Sequence, residues 1–242
     1  MSRLNARTDG ALAALTRDVQ EALGEELLCL ALYGSAAGED WVEGLSDLNV
    51  AIVVPRVNFA VLEALEPIVG RWRRKGLAPP AVMDREYLAR ARDIFPMEID
   101  DIRRQHRLLA GRDVFADVTL DPAAIRRECE GEVRGKLLRL RALFLQSGGR
   151  PEALVGLMRE SVKSFLVVLR HWLALLGEDG ATDYRTVLRS AEATMGPLPT
   201  MGRLLDHREG QVEFEGAEVR EMFADYLGEV ERIVAAIDRL NA

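Results

Sequence analysis

Apolar residues set the rhythm of the chain before any single residue stands out. Leu12, Leu15, Val19 and Leu23 recur three and four positions apart, the stripe of a one-faced helix, and Thr8 ahead of them suits an N-cap. Residues 25–33 (EELLCLALY) form a short apolar run that stops at Gly34 and Ser35, which predicts a buried strand feeding a turn. Residues 48–54 (LNVAIVV) are apolar and β-branched, bounded by Ser46, Asp47 and Pro55, and predict a second strand. Residues 59–75 predict a helix with Val61, Leu62, Leu65, Ile68, Val69 and Trp72 on one face. Its basic end (Arg71, Arg73, Arg74, Lys75) suits the helix C-terminal dipole, as a solvated end rather than a phosphate site. A third strand over 77–83, interrupted by Pro79 and Pro80, and a short helix over 85–92 follow. Residues 95–102 (FPMEIDDI) alternate apolar and acidic positions, which predicts a further strand, and 108–111 extend or follow the sheet.

Beyond Asp121 and Pro122 the texture becomes helical throughout. Residues 122–146 repeat Ile125, Cys129, Val133, Leu137, Leu140 and Phe144 at helical spacing, and Gly148 to Pro151 break the run. The next helix, 152–176, is apolar on most sides and is therefore expected at the centre of its neighbours; Gly177 to Gly180 end it. Residues 183–195 and 199–207 form a broken third element, and Val219 to Leu240 a last amphipathic helix. Four helices with short Gly/Pro turns favour an antiparallel bundle. The expectation is an α+β protein: an α/β domain with a mixed sheet over 1–118, then a helical bundle over 119–242.

Composition narrows the function classes. The 242 residues are 48% hydrophobic and 29% charged, with a formal net charge of -7, so the chain can bury a core and lacks the cationic excess of a nucleic-acid binder. The acidic balance suits a cationic small molecule or a metal-bound nucleotide. Cys29 and Cys129 have no metal-ligand spacing and read as buried thiols of a reducing compartment. No segment approaches a membrane span and the N-terminus has no apolar leader, so no membrane is expected and the cytoplasm is the expected location. The three histidines, His106, His171 and His207, show no ligand or nucleophile pattern. Glu128, Glu130 and Glu132, with Arg126, Arg127 and Arg134, read as a charged helix face.

Chemistry concentrates in three short elements. Gly34 and Ser35 close the first strand; Asp47 and Asn49 open the second; Glu98 and Asp100 lie two apart further on. A Gly-Ser turn after a strand can offer a hydroxyl and backbone N–H groups to a triphosphate, with Gly38 keeping the loop close. Residues at i and i+2 of a strand share a face, so Asp47 and Asn49 project together. By the same reasoning Glu98 and Asp100 share a face and Asp101 points away. Singly, each element is an ordinary turn or strand start. Together, Gly-Ser, a spacer of eleven residues, Asp-x-Asn and an apolar strand are harder to attribute to chance.

The stretch LYGSAAGEDWVEGLSDLNVAIVV resembles the signature of the DNA polymerase β-like nucleotidyltransferases, among them the aminoglycoside adenylyltransferases and small bacterial nucleotidyltransferase-domain proteins. The resemblance implies transfer of a nucleoside monophosphate from a Mg²⁺-bound nucleoside triphosphate, ATP by default, to a hydroxyl of a small-molecule or protein acceptor. It implies Gly34 and Ser35 as nucleotide-binding residues, and Asp47, Asn49 and Glu98 around the metal. Glu98 or Asp100 joins Asp47 as the third carboxylate or as the base, with Glu98 preferred; a homodimer is compatible with it. One departure stands out: the family pattern has aspartate where this chain has Asn49. A carboxamide gives a metal its carbonyl oxygen but no charge, which weakens a Mg²⁺ site. Three readings follow: a weakened enzyme, a site built on Asp47, Glu98 and Asp100, or an inactive nucleotide-sensing or protein-interaction module.

Overall fold

The structure is a computed structural model describing residues 4–38, 40–41, 46–178, 183–214 and 216–241. Glu39 and residues 42–45 of the spacer between Ser35 and Asp47, and Gly180 of the expected helix break, lie outside the described residues. The chain divides into two compact units, Met1–Ala124 and Ile125–Ala242. Among the described residues no helix is long and apolar enough to cross a membrane.

The first unit is built on a four-stranded mixed sheet. Its strands are β1 (Cys29–Tyr33), β2 (Asn49–Val54), β3 (Ala81–Asp84) and β4 (His106–Gly111), in the order β3-β2-β1-β4. β1 runs antiparallel to both β2 and β4, and β2 runs parallel to β3. Both faces of the two central strands are covered, which is why their sequences read as unbroken apolar runs rather than alternations. Leu30, Leu32, Val50, Ile52 and Val54 bury one face together with Leu12, Leu15 and Val19 of α1 (Ala6–Leu23) and Val61, Leu65, Ile68 and Trp72 of α2 (Phe59–Arg73). Cys29, Ala31, Ala51, Val53 and Met83 bury the other with Leu88, Ala91, Ile99, Ile102 and Phe115. Leu88 and Ala91 belong to α3 (Arg85–Ile94), and Ile99 and Ile102 to α4 (Pro96–Arg104).

Local chemistry accounts for the element ends. The N-cap of α1 is Asn5, not Thr8: the Asn5 side chain accepts the Thr8 N–H at 2.8 Å. Trp72 Nε1–H donates to Asp18 at 2.7 Å and ties α2 to α1. The basic end of α2 is exposed, with Lys75 stacked 3.9 Å over the Trp72 ring and Arg71 3.5 Å from Asp18. The strand expected over 95–102 is instead helix α4. Pro96 occupies its first turn, where a missing N–H costs nothing, and Arg103 and Arg104 sit in its last turn.

The second unit is helical, with α5 (Pro122–Ser147) leading into it. Then come α6 (Pro151–Leu175), α7 (Tyr184–Met195), α8 (Pro199–Arg208) and α9 (Val219–Asp238). The element expected as one broken helix is two, so five helices are described where four were counted. As its apolar circumference suggests, α6 packs against α7, α8 and α9 and buries Leu154, Met158, Phe165, Leu169 and Trp172 among others. Phe144 of α5 stacks on Phe223 of α9 with centroids 4.7 Å apart. The charged face of α5 pairs with its surroundings: Lys136 with Glu132, Arg126 with Glu130, Arg134 with Asp238. Cys29 and Cys129 are buried thiols outside any disulfide.

A buried carboxylate ties two helices of this unit together. Glu229 of α9 is 4% exposed and accepts the first free N–H groups of α8, from Thr200 at 2.7 Å and Met201 at 2.9 Å. It thus caps another helix from a distance, with its charge at the positive end of the dipole. Glu229→Ala leaves two buried donors unsatisfied and is expected to destabilise the protein by about 2 kcal/mol. The measurement is the urea midpoint at unchanged m-value; an unshifted midpoint would contradict this role.

Candidate functional site

The site grows from the register of three strands. Tyr33, the last residue of β1, lies opposite Asn49, the first of β2, and opposite His106, the first of β4. Asn49, Tyr33 and His106 therefore form a row across one end of the sheet. The chain leaves Tyr33 through Gly34, whose φ of +71° is a conformation that favours glycine. Any Cβ there would also meet Asn49 Nδ2 at 3.4 Å. Residues Gly34–Ala37 make a single 3₁₀ turn, closed by the Gly38 N–H donating to the Ser35 carbonyl at 3.2 Å. Ser35 is half-buried.

Asp47 and Asn49 reach the same end of the sheet from β2. The approach is pinned by backbone bonds, Leu48 N–H to Gly76 O at 2.8 Å and Ala78 N–H to Leu48 O at 3.0 Å. Asp47 is exposed and Asn49 half-buried. A third carboxylate was expected on a strand neighbouring β2. At this end of β3 the positions are Pro79, Pro80 and Ala81, the last opposite Ala51, so β3 supplies none. Asp84, at the far end of β3, accepts the Val57 and Tyr87 N–H groups, which hold its carboxyl below the usual range.

The helical α4 changes how its acids are arranged. Two residues apart on a helix are about 200° apart around the axis, whereas three apart are neighbours. Glu98 and Asp100 therefore do not share a face, and Asp101, expected to point away, shares that of Glu98. Asp100 is fully buried and holds Arg103, at 2.6 Å, and Arg104. Glu98 and Asp101 lie near enough to Tyr33 for their charges to act on its hydroxyl. Burial, then Glu98, then Asp101, push the Tyr33 hydroxyl up to about 12. Desolvation and the repulsion of Asp101 likewise raise the Glu98 carboxyl above its ordinary range, although Glu98 keeps an exposed surface.

Four residues at this end were not singled out from sequence as site residues: Tyr33, Asp101, Gln105 and His106. Gln105 follows α4 and presses on the glycine loop so closely that a Cβ on Gly38 would lie 1.5 Å from its Nε2. The His106 Nδ1–H donates to the Ile102 carbonyl at 2.8 Å, and Nε2 lies 3.1 Å from Asp113 Oδ2. His106 is thus bonded and half-buried; His171 is buried in α6, and His207 bonds the Val212 carbonyl. Only Tyr33, standing directly before the Gly-Ser pair, carried a local signal. The others depend on the α4 helix and on the β4 register.

Among the described residues no three acidic, histidine or cysteine side chains converge to hold a metal ion. The donor set of Asp47 with the Asn49 carbonyl does not fit a preformed protein cage. It does fit a Mg²⁺ carried on a triphosphate, which is typically held by one or two carboxylates with phosphate oxygens and water completing the shell.

No protein-family model and no curated protein sequence matches the chain. Solved structures do. The chain is similar to the spectinomycin adenyltransferase AAD(9) of Enterococcus faecialis, solved with ATP and spectinomycin. The TM-score is 0.58 at 10% identity, over 92% of this chain and 99% of that one. This likeness shows a shared fold, and the α+β arrangement is consistent with a nucleotidyltransferase-like one.

The contact between Gly38 and Gln105 gives a direct check on the loop. Gly38→Ala is expected to cost about 1 kcal/mol by displacing Gln105. Most of that cost should vanish in Gly38→Ala/Gln105→Ala. Equal costs in both backgrounds, read from thermal or denaturant unfolding, would show the contact to be unimportant.

Proposed function

We propose that the first unit binds a nucleoside triphosphate with its Mg²⁺ and transfers the nucleoside monophosphate to an acceptor hydroxyl. The observation that carries this reading is the meeting, at one sheet end, of the Gly34–Ala37 turn, the Asp47–Asn49 strand start and the Glu98/Asp101 face of α4. The nucleotidyltransferase-like fold and the ATP in the similar AAD(9) support it.

In this reading Gly34 and Ser35 hold the triphosphate through backbone N–H groups and the serine hydroxyl. Asp47 would be the anionic ligand of a triphosphate-borne Mg²⁺ and Asn49 its neutral companion, and the ion bound there would supply charge neutralisation at the phosphates. Glu98, also expected as a metal ligand, is better placed as the base. Burial and Asp101 raise its carboxyl above the ordinary range, the direction that suits a proton acceptor. Asp100 acts at one remove, pairing with Arg103 and Arg104 of its own helix and so supporting the last turn of α4. The hydroxyl oxygen attacks the α-phosphorus, its proton passes to Glu98, and pyrophosphate leaves. The acidic chain favours a cationic small-molecule acceptor, and a protein hydroxyl remains the other class.

A second reading rests on Asn49. With one carboxylate exchanged for an amide and no acid at the site end of β3, the pocket binds nucleotide without turning it over. Pyrophosphate release with an acceptor panel separates the two. The enzyme reading expects Mg²⁺-dependent release that falls about 100-fold or more in Asp47→Ala or Glu98→Gln. The binding reading expects no release from the natural chain and new Mg²⁺-dependent nucleotide affinity in Asn49→Asp. Activity also carries a pH signature. Because Asp101 helps raise the Glu98 carboxyl, Asp101→Asn lowers it, so the acid limb of the kcat/KM profile moves to lower pH. A limb that stays put or moves upward would remove Glu98 from the role of base.

A further inference from the structure

We infer that the first unit has a second pocket, separate from the glycine-serine turn, that binds a small organic phosphate. Arg85, Leu88, Ala89 and Arg92 occupy positions i, i+3, i+4 and i+7 of α3, one continuous helix face. The segment after β4 brings Arg112, Val114 and Val118 against this face. Between them lies a pocket of about 530 Å³, within the roughly 300–1,000 Å³ typical of small-molecule sites. None of Tyr33, Gly34, Ser35, Asp47, Asn49 or Glu98 lines it.

Charge selects the ligand. Three guanidinium groups line the pocket. Arg92 commits its Nε to the Ala89 carbonyl at 3.1 Å, which leaves its terminal nitrogens available, and Arg85 and Arg112 make no ion pair with any described residue. Two carboxylates share the lining, but Asp113 is already engaged. Its Oδ1 accepts the Phe115 and Ala116 N–H groups at 2.9 and 3.1 Å, and its Oδ2 faces His106. Asp117 is the remaining acid, exposed at the pocket. Three cations thus face two anions, a net positive lining in which only Asp117 is uncommitted. A neutral ligand leaves the guanidinium groups repelling one another. A carboxylate balances one of them. A phosphate monoester carries close to two charges and accepts forked bonds from two guanidinium groups. Leu88, Val114 and Val118 provide the apolar wall for its organic part.

The test is isothermal titration of the whole chain with phenyl phosphate, inorganic phosphate and benzoate. Phenyl phosphate should bind saturably and tightest of the three. Its affinity should fall about tenfold or more in Arg85→Ala and in Arg112→Ala, the loss of one charge-assisted contact. Asp117→Asn should tighten binding, a gain that damaged folding cannot produce. Ser35→Ala should leave it unchanged, so this inference and the nucleotide reading stand or fall separately. Absent saturable binding, indifference to both arginine changes, or loss in Ser35→Ala would overturn the assignment.

Discussion

Everything at the candidate site depends on the antiparallel register that sets Tyr33 against Asn49. Strand side chains alternate faces, so a slip of one residue between β1 and β2 would turn Asn49 towards α1 and α2 and bury Val50 beneath α4. Apolar packing on both faces prevents that slip. The left-handed Gly34 then lets the chain turn sharply where Asn49 lies alongside. With β1 and β2 locked, β4 brings His106 to the other side of Tyr33, and the α4 segment that precedes it lies over the same end. The site is thus a consequence of packing in the sheet, with its polar residues held at the rim of a dry core.

The same geometry explains the electrostatics. Burial first, and then the charges of Glu98 and Asp101 on α4, raise the Tyr33 hydroxyl, and burial and Asp101 raise the Glu98 carboxyl. Asp100, one residue from Asp101, escapes this by turning inward to two arginines. Adjacent acids on one helix therefore do different work: one pairs with two arginines of its own helix, and its neighbours act on Tyr33.

Much of this was legible in the sequence. The Gly34–Ser35 turn, the buried strands, α2, the helical second unit and the dominance of α6 follow from apolar spacing and turn residues alone. The segment FPMEIDDI carries the strand and the helix period at once, and the helical one prevails for a physical reason. Phe95, Met97 and Ile99 alternate as in a strand, yet Phe95, Ile99 and Ile102 also fall at i, i+4 and i+7. Pro96 at the start and Arg103 and Arg104 at the end are helix signals that decide between the two periods. That single change of period moved the partner of Glu98 from Asp100 to Asp101. Gln105 and His106 were invisible because only the long-range pairing of β4 with β1 brings them to the glycine loop.

The central claim is that this sheet end still holds a metal-bound triphosphate despite Asn49. Isothermal titration with a non-hydrolysable ATP analogue, with and without Mg²⁺, addresses it most directly. The expected result is binding that requires Mg²⁺ and is lost in Ser35→Ala and Asp47→Ala. No binding under either condition, or binding indifferent to both substitutions, would contradict it.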